Sequence, residues 1–479
     1  MSNTDLPDAL KFQNVSNPSS SKQFSLKTQP VSFSQSKARF EIPRQGILSS
    51  NAMLQFSPRS GMDFATYTML VGCLAQVERA TLSTASGKVI MDNRHFSEKQ
   101  VVEVPFRGNT YNTFKAPYLN MSFYGFAPPL PNESATDTAG TLRPSSIEYN
   151  NVAGSALLPL GSVIFPTTAD QTASINNIPS VQIQLAQMFP FLYNTQLPVG
   201  NMEQLYLDVY WRADSAVGKL FIARAGTPYA SQASPVNQVD TFLHTDHITY
   251  DDPAVMEEIE NRMASNLQFV YTDCISQIVN TPAVGGDVLI AKLEADLGCV
   301  NYKLTAVKNI AVLPSGTPHP IFGYYYSYGE YTNRNINLII NDSQMYPNNN
   351  QTQAENYTRL TKIYDMPAQI NKPLYSYGRP GTEGFPVAQT FNGTAQGDMW
   401  GGDLNVQAIE LKDEQGKALQ NGLSPVRLLY ERNISADYAA IDAGTAAALN
   451  RAEEQYYFLE YLRSFAVSGS GNVLVSEFI

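Results

Sequence analysis

VQIQLAQMFPFLYNTQLPVGNMEQLYLDVYWR, residues Val181–Arg212, decides the fold. It opens on an alternating run, Val181-Gln182-Ile183-Gln184-Leu185. A short apolar turn follows at Met188, Phe189, Phe191 and Leu192, and Leu197-Pro198 leads into a second run. Successive strand residues point to opposite faces, so Leu205, Leu207, Val209 and Trp211 share one face. A face of that kind packs into a sheet-on-sheet core. The same machinery, strands separated by long polar loops, is legible twice along the chain. The reading is an all-β protein.

Working outward, the first half carries strand character at Phe40 and Ile42, with Pro43 and Gly46 ending the run. Ile47, Leu48, Met53, Leu54 and Phe56 resume it. Gln76–Met91 reads as a hairpin with its turn at Ser86-Gly87. From 107 to 180 Asn, Pro, Thr, Ser and Gly dominate, too long a stretch for a plain connection. Gly218–Ala223 adds a strand. Asp251–Met263 is a short helix: Asp252 suits the N-cap, Pro253 the first turn, and acids crowd the N-terminal end. Strand patterns restart at 266–280, 286–298 and 299–313. Residues 364–403 form a second Gly/Pro-rich excursion. Ala-rich Thr445–Phe458 predicts a helix, and Phe458–Ile479 two strands around Gly469-Ser470-Gly471. Residues 1–37 are polar, with too few apolar side chains to fold alone, and read as an arm that orders against neighbours. The predicted organisation is therefore an arm at 1–37, a β unit at 38–250, a helical linker at 251–265 and a second β unit at 266–479.

Composition narrows the function. The chain has 479 residues and is 43% hydrophobic, enough for sizeable cores. Charged residues make up 16%, below the roughly 25% of ordinary soluble chains. Asn, Gln, Ser, Thr and Tyr take their place, which suits surfaces that pack against copies of themselves. A net charge of −11 argues against direct nucleic-acid binding, which needs a Lys/Arg surface. Three cysteines, Cys73, Cys274 and Cys299, lack CxxC spacing and read as reduced thiols. The N-terminus shows no secretory signal pattern, and no apolar window is long enough for a transmembrane helix.

No constellation carries chemistry. His244-Thr245-Asp246-His247 has the residue types of a metal site, but His95 and His319 lie far off in sequence, and a solvated turn is the expectation. Cys274 and Cys299 sit in apolar surroundings without an adjacent base. Glu257, Glu258 and Glu260 read as a solvated helix face that complements the helix dipole. Gly285-Gly286-Asp287 and Gly401-Gly402-Asp403 lack a nucleotide-binding pattern. Trp211 is assigned to the core and Trp400 to a surface contact. The sequons at Asn132, Asn350, Asn356 and Asn392 fit chance in an Asn/Ser/Thr-rich chain. No catalytic, cofactor-binding or metal residues are assigned, no cofactor is expected, and the chain is not expected to be an enzyme.

Three segments carry a family resemblance. Arg39-Phe40-Glu41-Ile42-Pro43-Arg44-Gln45-Gly46-Ile47-Leu48, Ile183–Trp211 and Tyr457–Ile479 resemble parts of the double jelly-roll major capsid proteins of double-stranded DNA viruses, in their virophage, polinton-like and large eukaryotic virus branch. The resemblance implies two tandem eight-stranded jelly rolls with long loop excursions and a few short helices. It implies a structural protein of the virion, synthesised in the host cytoplasm. Three copies would form a homotrimeric, pseudo-hexagonal capsomer that tiles an icosahedral shell. Loops 107–180, 314–357 and 364–403 would form towers and trimer contacts. The N-terminal arm would meet minor capsid or penton proteins and neighbouring capsomers, with peripheral contact to an internal membrane allowed. The alternative is a jelly-roll receptor- or carbohydrate-binding spike or fibre protein. A β-sandwich hydrolase would need converging carboxylates that the sequence does not locate.

Overall fold

The computed structural model describes residues 21–56, 67–69, 74, 76–103, 126–127, 143–144, 181–193, 195–212, 221–223, 238–251, 253–281, 290–297, 299–310, 334–351, 390–391, 394–395, 406–411, 419–420, 426–433 and 453–476. Two sandwiches follow one another. The strands of the first are β1 (Ser21–Thr28), β2 (Lys37–Glu41), β3 (Met53–Phe56), β4 (Val77–Thr84), β5 (Val89–Asn93), β6 (Val181–Gln184), β7 (Leu205–Trp211) and β8 (Phe242–Tyr250). They form antiparallel sheets in the orders β1-β8-β3-β6 and β2-β7-β4-β5. The second sandwich has β9 (Leu267–Thr281), β10 (Ile290–Leu297), β11 (Cys299–Ile310), β12 (Arg334–Ile340), β13 (Ser343–Gln351), β14 (Val406–Leu411), β15 (Val426–Asn433) and β16 (Glu453–Val467). Its orders are β9-β16-β11-β14 and β10-β15-β12-β13. Each half therefore has the same wiring, first strand beside eighth and second beside seventh, which is the jelly-roll topology. A further strand, β17 (Val473–Ser476), pairs with the end of β16.

The alternation read in the sequence builds the first core. Leu205, Leu207, Val209 and Trp211 of β7 are buried, beside Ala38 and Phe40 of β2 and Ala80 and Leu82 of β4. Leu54, Phe56, Ile183 and Leu243 of the other sheet are buried as well. Phe56 and Trp211 meet with ring centroids 5.2 Å apart. Each such side chain contributes about 1.5–3 kcal/mol through removal from water. Beside these strands the predicted hairpin is present: β4 and β5 turn at Gly87, whose φ of 84° favours glycine. Gly46 (φ 53°) has a stricter reason, since a Cβ there would overlap the Ile248 carbonyl.

Four readings change. Ser21–Thr28, expected within an arm that orders against neighbours, instead pairs with β8 of its own roll along its whole length, from Ser21↔Tyr250 to Thr28↔Leu243. An edge strand buries only one row, here Phe24, Leu26 and Thr28, and its polar alternates made it look like a tail. His244–His247 is the middle of β8 and not a solvated turn. Glu453–Phe458 is extended within β16, although its Ala/Glu neighbourhood predicts a helix. Two ladders, to β9 and β11, outweigh that local propensity, and Tyr456, Tyr457 and Phe458 suit a strand. The remainder of that predicted helix, 445–452, lies outside the described residues, as do Trp400, Cys73, His319 and most of 107–180, 314–357 and 364–403. The fourth concerns 314–357, expected as a loop: Arg334–Ile340 and Ser343–Gln351 within it are the paired strands β12 and β13.

Between the rolls, α3 (Pro253–Ala264) forms where predicted; the other helices used below are α1 (Phe96–Glu103) and α2 (Leu185–Met188). Arg262 holds Glu258 one turn away at 2.7 Å, and Asn266, at φ 60°, ends α3 with its N–H on the Met263 carbonyl at 2.9 Å.

Phe40→Ala should lower stability by about 3–5 kcal/mol in urea unfolding followed by Trp211 fluorescence, because it leaves a cavity between close-packed sheets. The exposed Val239→Ala should stay within about 0.5 kcal/mol of the parent chain.

Candidate assembly site at the seam between the rolls

The two rolls are joined by more than α3. The first contributes the β4–β5 turn, β5, α1 and the segment from Leu185 to Glu203. The second contributes β9, β16 and the hairpin into β17. Glu203 follows the turn Val199–Met202 that launches β7, so its position is fixed by the first roll. Its backbone N–H donates to the Gly471 carbonyl at 2.8 Å. Its carboxylate accepts the Val473 N–H at 2.9 Å and the Ser86 N–H at 3.0 Å, one donor from each roll. Lys88 Nζ donates to the Val473 carbonyl beside it. Burial pushes the Glu203 carboxyl up, but these N–H groups and Lys88 outweigh it and hold the group below its ordinary value. Gly471 sits at φ 81°, and a Cβ there would lie 2.6 Å from the Asn201 carbonyl oxygen. Glycine is what lets the hairpin close on the first roll.

Further along, the seam is aromatic and ionic. Phe191 of the first roll meets Tyr271 at 5.3 Å and Phe465 at 6.1 Å between ring centroids. Phe269 stacks on Phe465 at 4.8 Å. The Tyr271 hydroxyl donates to the Ile90 carbonyl of β5, and Arg463 donates to that same oxygen at 3.3 Å. Arg463 also donates to Asp273 at 2.9 Å, with the Tyr461 hydroxyl at 3.2 Å. Burial lifts the Asp273 carboxyl above its ordinary value despite these donors. Lys99 of α1 and Glu460 of β16, both buried, pair across the seam at 3.1 Å. Removing one partner of such a pair strands a charge and costs about 3–5 kcal/mol. The arrangement holds one roll against the other.

The outward face of the β2-β7-β4-β5 sheet is equally ordered. Register places Arg39, Asp208, Thr81 and Asp92 in one row across four strands. Arg39 grips Asp208 with two bonds of 2.7 and 2.8 Å, and Lys37 adds a third contact at 3.2 Å. Arg79 grips Asp92 at 2.6 and 2.8 Å, with Arg94 at 2.8 Å. Burial raises both carboxyls, and the guanidinium bonds outweigh it and hold both below the usual range. Tyr210 lies under Lys37 and Arg79, and Tyr206 under Arg39.

The residues singled out in the sequence do not converge. His247 is buried, bonded through Nδ1 to the Gln45 carbonyl at 2.7 Å and through Nε2 to Thr245 Oγ1 at 2.9 Å, and stacked on Phe24 at 5.6 Å. His244 bonds Gln55 at 2.6 Å. Three residues apart on a strand, the two point to opposite faces and cannot share a metal. Among the described residues no group of three or more His, Cys, Asp and Glu could hold a metal ion. Glu257, Glu258 and Glu260 are exposed on α3, and Cys274 is a buried thiol. Sequence reasoning missed Glu203, Lys99, Glu460, Asp273 and Arg463. Their partners lie far off along the chain, so no local pattern marked them.

No protein-family model matches the chain, and no curated protein matches it. Solved structures do. A chain in a cryo-EM structure of the Sputnik virophage aligns with a TM-score of 0.56 at 11% identity, covering 97% of this chain and 90% of that one. The mavirus major capsid protein aligns with a TM-score of 0.51 at 8% identity, covering 95% of this chain and 90% of that one. At these identities the likeness is one of fold, and the double jelly roll is the fold of this chain.

Gly471→Ala should destabilise the chain more than Gly87→Ala, by about 1–3 kcal/mol against about 1, because both pay for positive φ but only Gly471 meets a neighbour. Urea midpoints with intact-hairpin proteolysis at 468–476 check this. Glu203 has a folded pKa below its ordinary value of about 4.5, so its stabilisation is present above that value and lost as pH falls through the folded pKa. The stability gap between the parent chain and Glu203→Gln should therefore be full at neutral pH and shrink below about pH 4.5, read from urea midpoints across pH.

Proposed function

We propose that a chain with the fold of the mavirus major capsid protein is itself a structural major capsid protein of a virion. Three copies form a pseudo-hexagonal capsomer, and capsomers tile an icosahedral shell. The observation that carries this reading is the repeated roll. Two sandwiches of identical wiring are held edge to edge by buried aromatic, ionic and backbone contacts, so one chain already presents two equivalent building blocks in fixed relation. The work is mechanical: surfaces meet, and no bond is broken. The low charge content and the tyrosines support it, since each tyrosine offers a broad contact with a polar tip.

The partners in this reading are other copies, neighbouring capsomers, and minor capsid or penton proteins reached through the N-terminal residues ahead of β1. A peripheral contact with an internal membrane belongs to the same reading. Segments 107–180, 314–333 and 364–403 serve as towers and trimer contacts. Synthesis takes place in the host cytoplasm, and no residue has a catalytic role.

Light scattering on the purified chain should give a mass near three times the 52.8 kDa protomer, and negative-stain images of the same peak should show hexagonal outlines. A monomer with single, separately exposed rolls would contradict the proposal.

A further inference from the structure

Two histidines sit in the middle of β8, directly opposite β1. Register pairs His247 with Phe24 and His244 with Lys27. His247 is buried on the inner face. A carbonyl only accepts, so His247 Nδ1 carries a proton and donates it to Gln45 at 2.7 Å. In the neutral ring Nε2 then accepts from the Thr245 hydroxyl at 2.9 Å. The Phe24 ring lies over the imidazole, 19° from parallel. His244, three residues earlier, is half-buried on the outer face, bonded to Gln55.

The surroundings suit neutral rings. Around His247, β1 gives Phe24, and the chain before β3 gives the Gln45 carbonyl and Leu48. The charge that acts on it is Asp246, on the opposite face of β8 and held by Ser25 Oγ at 2.5 Å. A second proton on His247 would leave a buried cation under Phe24, whose ring attracts it weakly in place of a carboxylate. On His244 act Lys27 of β1, which repels a proton, and Asp246 of its own strand, which attracts one; β3 offers Met53 and the neutral Gln55. Burial is the largest effect on both rings and pushes both below their ordinary value of 6.5. The cover over them is thin. Among the described residues β1 has β8 as its ladder partner, and Phe24, Leu26 and Thr28 are half-buried. Its ties to the strand include Ser25–Asp246 and the exposed Lys22–Asp251 pair at 3.0 Å. Lifting Phe24 opens His247 to water.

We propose that β1 is an acid-released strap: protons on His247 and His244 lift Ser21–Thr28 off β8 while the rest of the sandwich stays closed. An edge strand with few buried side chains opens at low local cost. A histidine held below its ordinary value stabilises the closed state fully above that value, and the stabilisation is lost as pH falls through the folded pKa. The strap therefore loosens below about pH 6.5. At pH 5.5 each histidine raises the lifted population by at most about tenfold. The device is a property of the single chain and stands apart from the capsomer reading.

Hydrogen–deuterium exchange on the full chain tests this, read by mass spectrometry on peptides covering β1 and β7. Labelling at about pH 7.5 and about pH 5.5 is scaled for the intrinsic effect of pH on exchange, and the lower value stays above the range where Glu203 loses its hold. Protection of β1 should fall by about ten- to hundredfold at the lower pH, and that of β7 should hold. His247→Gln keeps a donor and an acceptor but takes no proton, so the fall should shrink several-fold. His244→Gln, in a second variant, should shrink it as well, and decides the matter if His247→Gln does not fold. Equal protection of β1 at both pH values in the parent chain overturns the proposal. A fall of the same size in every folded variant, or one shared by β7, overturns it too.

Discussion

A strand in a packed interior must satisfy its backbone N–H and C=O groups on both sides. β16 is fifteen residues long; β9 flanks all of it, but β11 flanks only part of its other side. From Glu453 to Tyr461 it runs between β9 and β11. From Ser464 to Val467 the place of β11 is taken by β17, which the chain supplies by folding back at Ser468–Asn472. That exchange of neighbours carries the strand past the end of its ladder with β11, while β9 still flanks it, and lets it reach the first roll. Phe465 then meets Phe191, and the hairpin delivers the Val473 N–H to Glu203.

The contacts that fix the two rolls are of kinds that resist sliding. Aromatic packing supplies area, but it tolerates small shifts. The Glu203 carboxylate does not, because it accepts one N–H from each roll. Nor does the Lys99–Glu460 pair, whose separation would leave two charges in a dry seam. Gly471 adds a steric condition, since any side chain there strikes the Asn201 carbonyl. Together these convert two sandwiches into one block with a defined angle, which a protein that tiles a surface requires.

The sandwich was legible wherever one face of a strand is buried and the other wet. Leu205, Leu207, Val209 and Trp211 announced β7 by alternation alone, and Ser86-Gly87 and Gly469-Ser470-Gly471 marked both hairpins. β1 was not legible as a strand, because an edge buries one thin row and its Ser, Lys and Gln residues look like a solvated tail. Glu453–Phe458 was misread because local Ala and Glu content speaks for a helix, whereas the two ladders that make it a strand involve residues far off along the chain. The seam was invisible for the same reason: Glu203 and Val473 are 270 positions apart. Asp208 shows the limit of period-two reasoning. It lies on the outward row of β7, yet the Arg39 fork and Lys37 cover it.

The most direct measurement is a cryo-EM reconstruction of the purified assembly, computed without imposed symmetry. The account predicts three copies in a closed ring of six rolls. Isolated chains would contradict the capsomer itself.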